Sequence, residues 1–464
     1  MDLLRKFIQS FFLKPTLYLF IFIAFFSADR FNRWANFDKG NFPLVDDVDQ
    51  YYSYLPAFFI HDDLSFSFEH QYWTKKLSNG NHIPKVTLGM ALMYSPFFIS
   101  GHLMAKNSKY KADGYSLPYK ISLHIGSILF SIFGLWFCRK NLLRFFNEYI
   151  TLIVLIAVYF GTNLFYYTYG FGEMPHAYLF FLFSLFIYFT FKWWDNKKLK
   201  YLLALAFTGG FATLIRPNEC LLLFFPLLLH VNNLKQVKER FQLFSAYRAK
   251  LLIAVILFLL PFFVQMLYWK TYTGQWFYFS YGEDESFFFS NPKIFDFLFS
   301  FRKGWFIYTP LMFLAIIGIF MLKQKSTGLK YFLIFYLLIT IYILSSWWDW
   351  AYGGSFGSRA MIQYYSFLVF PLAAFFQFMN EIFKEKILKY IARIIIIVSL
   401  VFMIDLNLDQ SWLYKYGIIA SDGMTKEAYL LTFGKEEFSK EEVEEIERSL
   451  KNPDREAMKR GERD

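Results

Sequence analysis

The feature that most limits this chain is the recurrence of apolar runs near the roughly 20 residues a helix needs to cross a bilayer. Eleven candidate crossings stand at 8–27, 118–138, 149–167, 175–193, 199–215, 219–231, 250–269, 304–322, 329–346, 360–379 and 389–405. The short run at 219–231 reads as tilted or broken. Composition agrees: only 18% of the residues are charged, where soluble domains carry about a quarter. No small-residue cleavage site follows the first run, so it reads as a retained helix and not a signal peptide. Cys138 and Cys220 give neither a disulfide framework nor a metal spacing.

The net charge of +11 comes without a basic-aromatic module, so nucleic acid is not an expected partner. Most of the excess lies in short loops, where it sets topology. Arg5, Lys6 and Lys14 precede the first helix, and Arg139, Lys140 and Arg144 follow the second. Lys192, Lys197, Lys198 and Lys200 follow the fourth, Lys235, Lys238, Arg240, Arg248 and Lys250 the sixth, and Lys323, Lys325 and Lys330 the eighth. The positive-inside rule puts all of these in the cytoplasm. The run 86–104 would reverse every later loop if it spanned, and Pro96, Ser95, Ser100 and His102 make it a poor lipid-facing helix. It reads as a juxtamembrane or re-entrant segment on the outer face. The expectation is an all-α polytopic protein with the N-terminus inside, the C-terminus outside and 28–117 as one large outer loop. The domain reading is a transmembrane body over 1–405 and a small helical tail over 406–464.

With that threading, VDDVDQYY, YGFGEMPH (169–176), Arg216, the 270–303 loop and WWDWAYGGSFGSR (347–359) all fall on the outer face. Ionisable groups at a membrane boundary are costly and usually functional. Asp46, Asp47 and Asp49 open the set. Asp47 and Tyr51 lie four apart and share a helical face. Such carboxylates can act as a general base or hold a divalent metal, and they equally suit an acidic helix start that caps free amides.

The stretch Asp47-Val-Asp-Gln-Tyr51 resembles the Asp-Glu-x-x-Tyr motif of the GT-C superfamily, the multi-pass glycosyltransferases that use polyprenyl-phosphate-linked sugars. The resemblance is nearest to protein mannosyltransferases and aminoarabinose transferases. The longer form DVDQYYSYLPAFFIHDDL is similar to a branch of membrane proteins from Bacteroidetes. The resemblance implies that Asp47 is the catalytic carboxylate. Val48 stands where the family often has a second acid, so Asp46 or Asp49 would take that role, with Asp49 a candidate metal ligand. Lys85 resembles the lysine of the family's Lys-Pro-Pro-Leu motif, although the prolines are displaced to Pro84 and Pro96. Its implied role is to contact the carrier phosphate; an interfacial lysine reaching for headgroups is the alternative. Glu173, in an acidic-Met pair, resembles the family's second outer loop and could complete a metal site or orient the acceptor.

Other candidates rest on the residues themselves. His176, three residues after Glu173, can bind a ligand or carry a proton. Arg216 ends an apolar helix beside Pro217 and needs an anion, either a lipid-carrier phosphate or Glu219. Arg359 follows Gly353, Gly354 and Gly357 into a helix start, a place that favours anions. Trp347, Trp348 and Trp350 read as interfacial anchors. In the tail, Ser439 and Glu442 have capping-box spacing, Val443, Ile446 and Leu450 follow helical spacing, and Pro453 ends that helix.

The function expected from these features is transfer of a sugar from a polyprenyl-phosphate donor to a protein, lipid or glycan acceptor. It would occur at the periplasmic face of the inner (cytoplasmic) membrane, where cytoplasmic nucleotide sugars are not available. The alternative is a polytopic lipid or sugar transporter. Against it, no repeat pairs the two halves, and the polar groups lie at one surface and not at the midplane.

Overall fold

The structure, a computed structural model, describes residues 13–34, 44–68, 74–281, 285–322, 327–382 and 385–462. Arg5, Lys6, Lys323, Lys325 and the side chain of Asp46 lie outside the described residues. Helices dominate. Among the described residues, six of them are long and apolar enough to cross a membrane: Leu117–Leu142, Pro175–Asn196, Arg248–Thr273, Gly328–Ser345, Arg359–Glu381 and Lys386–Lys415. This fits a multi-pass membrane protein. Shorter apolar helices cover Glu148–Phe160, Leu199–Ile215, Pro217–Leu228 and Leu311–Phe320.

Proline decides several helix ends. A residue before proline is pushed out of the α region. Met174, Arg216 and Thr309 all precede a proline, and all three are non-helical, with Arg216 at φ −141°, ψ 118°. The 304–322 run is therefore two pieces, Trp305–Tyr308 and Leu311–Phe320. The 219–231 run is a 3-10 turn, Pro217–Leu223, followed by a short helix, Phe224–Leu228.

The chain divides into two compact units, neither continuous in sequence. One comprises Phe25–Phe137 and Tyr167–Gly282, the other Met1–Ala24, Cys138–Tyr166 and Glu283–Asp464.

In the unit holding Phe25–Phe137, Leu199–Ile215 packs against both Pro175–Asn196 and Arg248–Thr273. Small residues let membrane helices approach closely. A Cβ on Gly210 would lie 2.1 Å from the Phe258 carbonyl oxygen, so the helices are closer than any side chain permits. The 86–104 segment is a helix, Gly89–Lys106, with Gly89, Met90, Ala91, Met93 and Tyr94 buried at its start. The only ladder among the described residues is a hairpin pairing Thr74–Lys76 with His82–Pro84. It is tied down by Asn79 and Asn81, which both donate to the Tyr272 carbonyl at 2.9 Å.

In the other unit, Leu311–Phe320 packs on Tyr365–Glu381, with Gly318 against the Pro371 carbonyl. Glu148–Phe160 is capped by Asn147, whose side chain accepts from Ile150 N–H at 3.0 Å. At its far end Asn407 donates to the carbonyls of Phe160 and Thr162, at 2.8 and 2.9 Å. Helix-end carbonyls need such partners, and in hydrocarbon the need is acute. The helix Lys386–Lys415 thus has a polar anchor at its C-terminal end, while Ile394, Ile395, Ile397 and Val398 upstream stay exposed, as lipid contact would require. In the tail, Ser439 and Glu442 form the capping box of Lys440–Arg448.

Candidate functional site

Asp46–Phe59 forms a helix with Val45 at its N-cap position. Asp46 and Asp47 therefore occupy the first turn, where negative charge suits the helix dipole. Asp47 is half-buried, while Tyr51, on the same face, is buried. The turn after this helix is held by Asp63. Its carboxylate accepts from the backbone N–H and hydroxyl of both Ser65 and Ser67. Partial burial alone would raise this carboxyl, but the four hydrogen bonds outweigh it and bring it down to about 2.

The strip 85–89 ties this helix to distant parts of the chain. Lys85 N–H donates to Gln50 Oε1 at 3.1 Å, and Tyr54 O–H to the Val86 carbonyl at 2.7 Å. The Thr87 hydroxyl donates to the Leu214 carbonyl. Leu88 N–H donates to Gln265 Oε1 at 2.8 Å. A Cβ on Gly89 would lie 2.8 Å from Ile215, the residue before Arg216. The strip thus joins the Asp47 helix to the end of Leu199–Ile215 that carries Arg216. The Lys85 ammonium sits 4.8 Å from the Tyr281 ring centre, a cation–π contact.

Glu173 is fully buried and held at two places. Its carbonyl accepts from the Tyr94 hydroxyl. Its Oε1 lies 3.0 Å from His124 Nδ1. Tyr51, Tyr178 and Glu173 are all within electrostatic range of Tyr94. His176 is also buried and packs edge-on to Tyr167 at 5.0 Å. His124, the one histidine in the 118–138 run, is a partner that sequence reading passed over. A polar side chain inside an apolar helix was the available signal.

Asp47, Tyr51, Lys85, Glu173, His176 and Arg216 therefore all belong to one compact unit. Arg359 belongs to the other. There it is buried and acts electrostatically on Lys303 and Asp349. Arg302 grips Asp422 through Nε at 2.7 Å and Nη2 at 3.3 Å, and Arg455 adds a contact to the same carboxylate at 3.3 Å. Lys303 donates to the carbonyls of Ser355 and Ser421, the latter at 2.6 Å. Burial brings the Lys303 amine down to about 7, aided by Arg302 and Arg359 and opposed by Asp422 and Asp349. Burial also raises the Asp349 carboxyl above its ordinary range. Burial alone would raise Asp422, but the hydrogen bonds and charge of Arg302 win and leave it low. Lys303 and Asp422 belong to no motif in the sequence, and only their partners distinguish them.

Among the described residues, no three His, Cys, Asp or Glu side chains are grouped to hold a metal ion. The expected ligand Asp49 is half-buried on the Asp46–Phe59 helix. The arrangement offers carboxylates and cations for proton and phosphate chemistry. No protein-family model matches this chain, and no curated protein matches it either.

Proposed function

We propose that this chain is an integral membrane glycosyltransferase of the GT-C kind with eleven crossings and its site on the periplasmic side of the inner membrane. It transfers a sugar from a polyprenyl-phosphate donor to a hydroxyl of a protein, lipid or glycan. The observation that carries this reading is the 85–89 strip. It is hydrogen-bonded to the helix of Asp47 and Tyr51 and packed on the helix end that leads into Arg216.

In the reaction, Asp47 takes the proton of the acceptor hydroxyl as its oxygen attacks the anomeric carbon. The bond from that carbon to the phosphate oxygen breaks, and the carrier leaves as a phosphate. Lys85 and Arg216, which share the unit of Asp47, stabilise the charge on that leaving group. Inversion at the anomeric carbon is what the resemblance implies.

The test is single-turnover transfer by purified protein in nanodiscs, using lipid-linked sugars that accumulate in a deletion strain. Asp47→Asn keeps the shape but removes the base, so transfer should fall by roughly 10²–10⁴-fold. A near-normal Asp47→Asn beside a dead Asp46→Asn would move the role one residue upstream. Normal rates for Asn at 46, 47 and 49 would remove the enzymatic reading. The topology is tested by impermeant thiol labelling: Ser78→Cys and Ser439→Cys should both react from outside. Protection of Ser439→Cys alone would mean that 86–104 spans.

A further inference from the structure

The buried pair His124–Glu173 carries more than a packing role. It lies 3.0 Å apart between helix Leu117–Leu142 and the turn before Pro175–Asn196, with both side chains almost wholly excluded from solvent. A buried carboxylate is expensive unless its oxygens are satisfied. One of these is not: Oε2 of Glu173 has no hydrogen-bond partner among the described residues. Yet the residue is immobilised, its carbonyl by Tyr94 and its Oε1 by His124. His124 is in turn seated by the Phe31 ring at 5.3 Å, and its carbonyl accepts from Ser127 at 2.8 Å. The groups facing the pair are the phenols of Tyr94 and Tyr178, both within electrostatic range of Glu173.

We propose that His124 and Glu173 form one proton-holding dyad in which His124 is the positioning residue and Oε2 of Glu173 is the atom presented to a substrate hydroxyl. What Oε2 meets rests on the transferase reading; the dyad itself does not. The Nδ1–H of His124 fixes one oxygen and, when the ring is protonated, balances the carboxylate's charge. The other oxygen is left as a directed acceptor for a sugar or acceptor O–H. The imidazole thereby holds the carboxylate so that its second oxygen can accept that bond.

The full chain in nanodiscs tests this by pH-difference infrared spectroscopy, which needs no ligand. A carboxyl band that titrates should vanish in Glu173→Gln. In His124→Leu its midpoint should rise, because the ionised carboxylate loses a hydrogen-bond donor, and His124→Gln, which keeps a donor, should reverse part of that rise. An unmoved midpoint in both His124 variants would overturn the dyad. If His124→Leu fails to fold, nitrogen NMR of the native protein decides. The ring nitrogens of His124 should follow the Glu173 titration and lose that step in Glu173→Gln; their failure to do so would overturn the proposal. In transfer assays, the acid limb of the pH profile should move with the infrared midpoint. A native protein with the infrared response but no transfer would overturn the transferase reading and leave the dyad standing.

Discussion

Around the Asp47 helix, buried polar groups meet through neutral side chains: Gln50, Tyr54, Thr87, Gln265 and Tyr94 each bind a backbone group. In the unit that contains the C-terminal tail, the same task falls to ions, with Arg302 on Asp422 and Lys303 on two carbonyls. The neutral network fixes backbone geometry, with Asp47 and Lys85 half-buried and Glu173 fully buried beside it. The ionic network uses its charges on the fold itself. The two units thus satisfy their buried polar groups by different means.

The sharpest way to break this contrast is to cut the Arg302–Asp422 pair. Removing one partner of a fully buried pair costs about 3–5 kcal/mol, and this part-buried pair, in which Asp422 keeps Arg455, should cost somewhat less. Arg302→Ala should lower thermal stability in detergent accordingly, and Asp422→Ala should do the same. Gln50→Ala should cost only about 1 kcal/mol, since it deletes a neutral hydrogen bond. Equal losses would erase the distinction between the units.

The ionic unit should also show pH linkage. An unfolded lysine keeps its proton to about 10.5, whereas folded Lys303 releases it near 7. Between those limits the unfolded chain binds more protons, so stability should rise with pH. At the acid end, stability should fall as pH drops through the lowered value of Asp422. Denaturation at pH 7 and pH 9 should show the alkaline gain, and Lys303→Met should abolish it. A slope that survives Lys303→Met would assign it to another group.

Next in size are the two helix contacts, one in each unit. Gly210→Ala and Gly318→Ala both drive a methyl into a backbone carbonyl. Each should cost about 1–3 kcal/mol by overpacking. A similar loss in both would show that close helix packing is common to the units and that only their treatment of charge differs. The smallest effect belongs to the tail, where Ser439→Ala removes the capping box of Lys440–Arg448. It should cost about 1 kcal/mol, seen as faster amide exchange in that helix with the Arg302–Asp422 contact intact.

Several elements could be read before folding because their causes are local. Pro175 and Pro217 mark helix boundaries through the clash each imposes on the preceding residue. The Ser439–Glu442 box announces its helix through two reciprocal bonds across three residues. The break at 309–310 has the same proline cause, yet a continuous apolar run hid it. Pro56, Pro96, Pro261 and Pro371 stay inside helices, so a proline alone did not tell which runs would break.

What the sequence by itself determined is the class of solvent: runs of apolar residues that long admit little but helices in a bilayer, because the backbone must satisfy itself there. It also placed Asp47 and Tyr51 on one helical face, since four residues are about one turn. Tertiary structure alone decided which charges meet. His124 finds Glu173 across 49 residues, Arg302 finds Asp422 across 120, and Arg359 joins Lys303 and not the unit of Asp47. The physical reason is that an ion's role depends on its partners and its dielectric surroundings, and both are properties of the packed chain that no local spacing encodes.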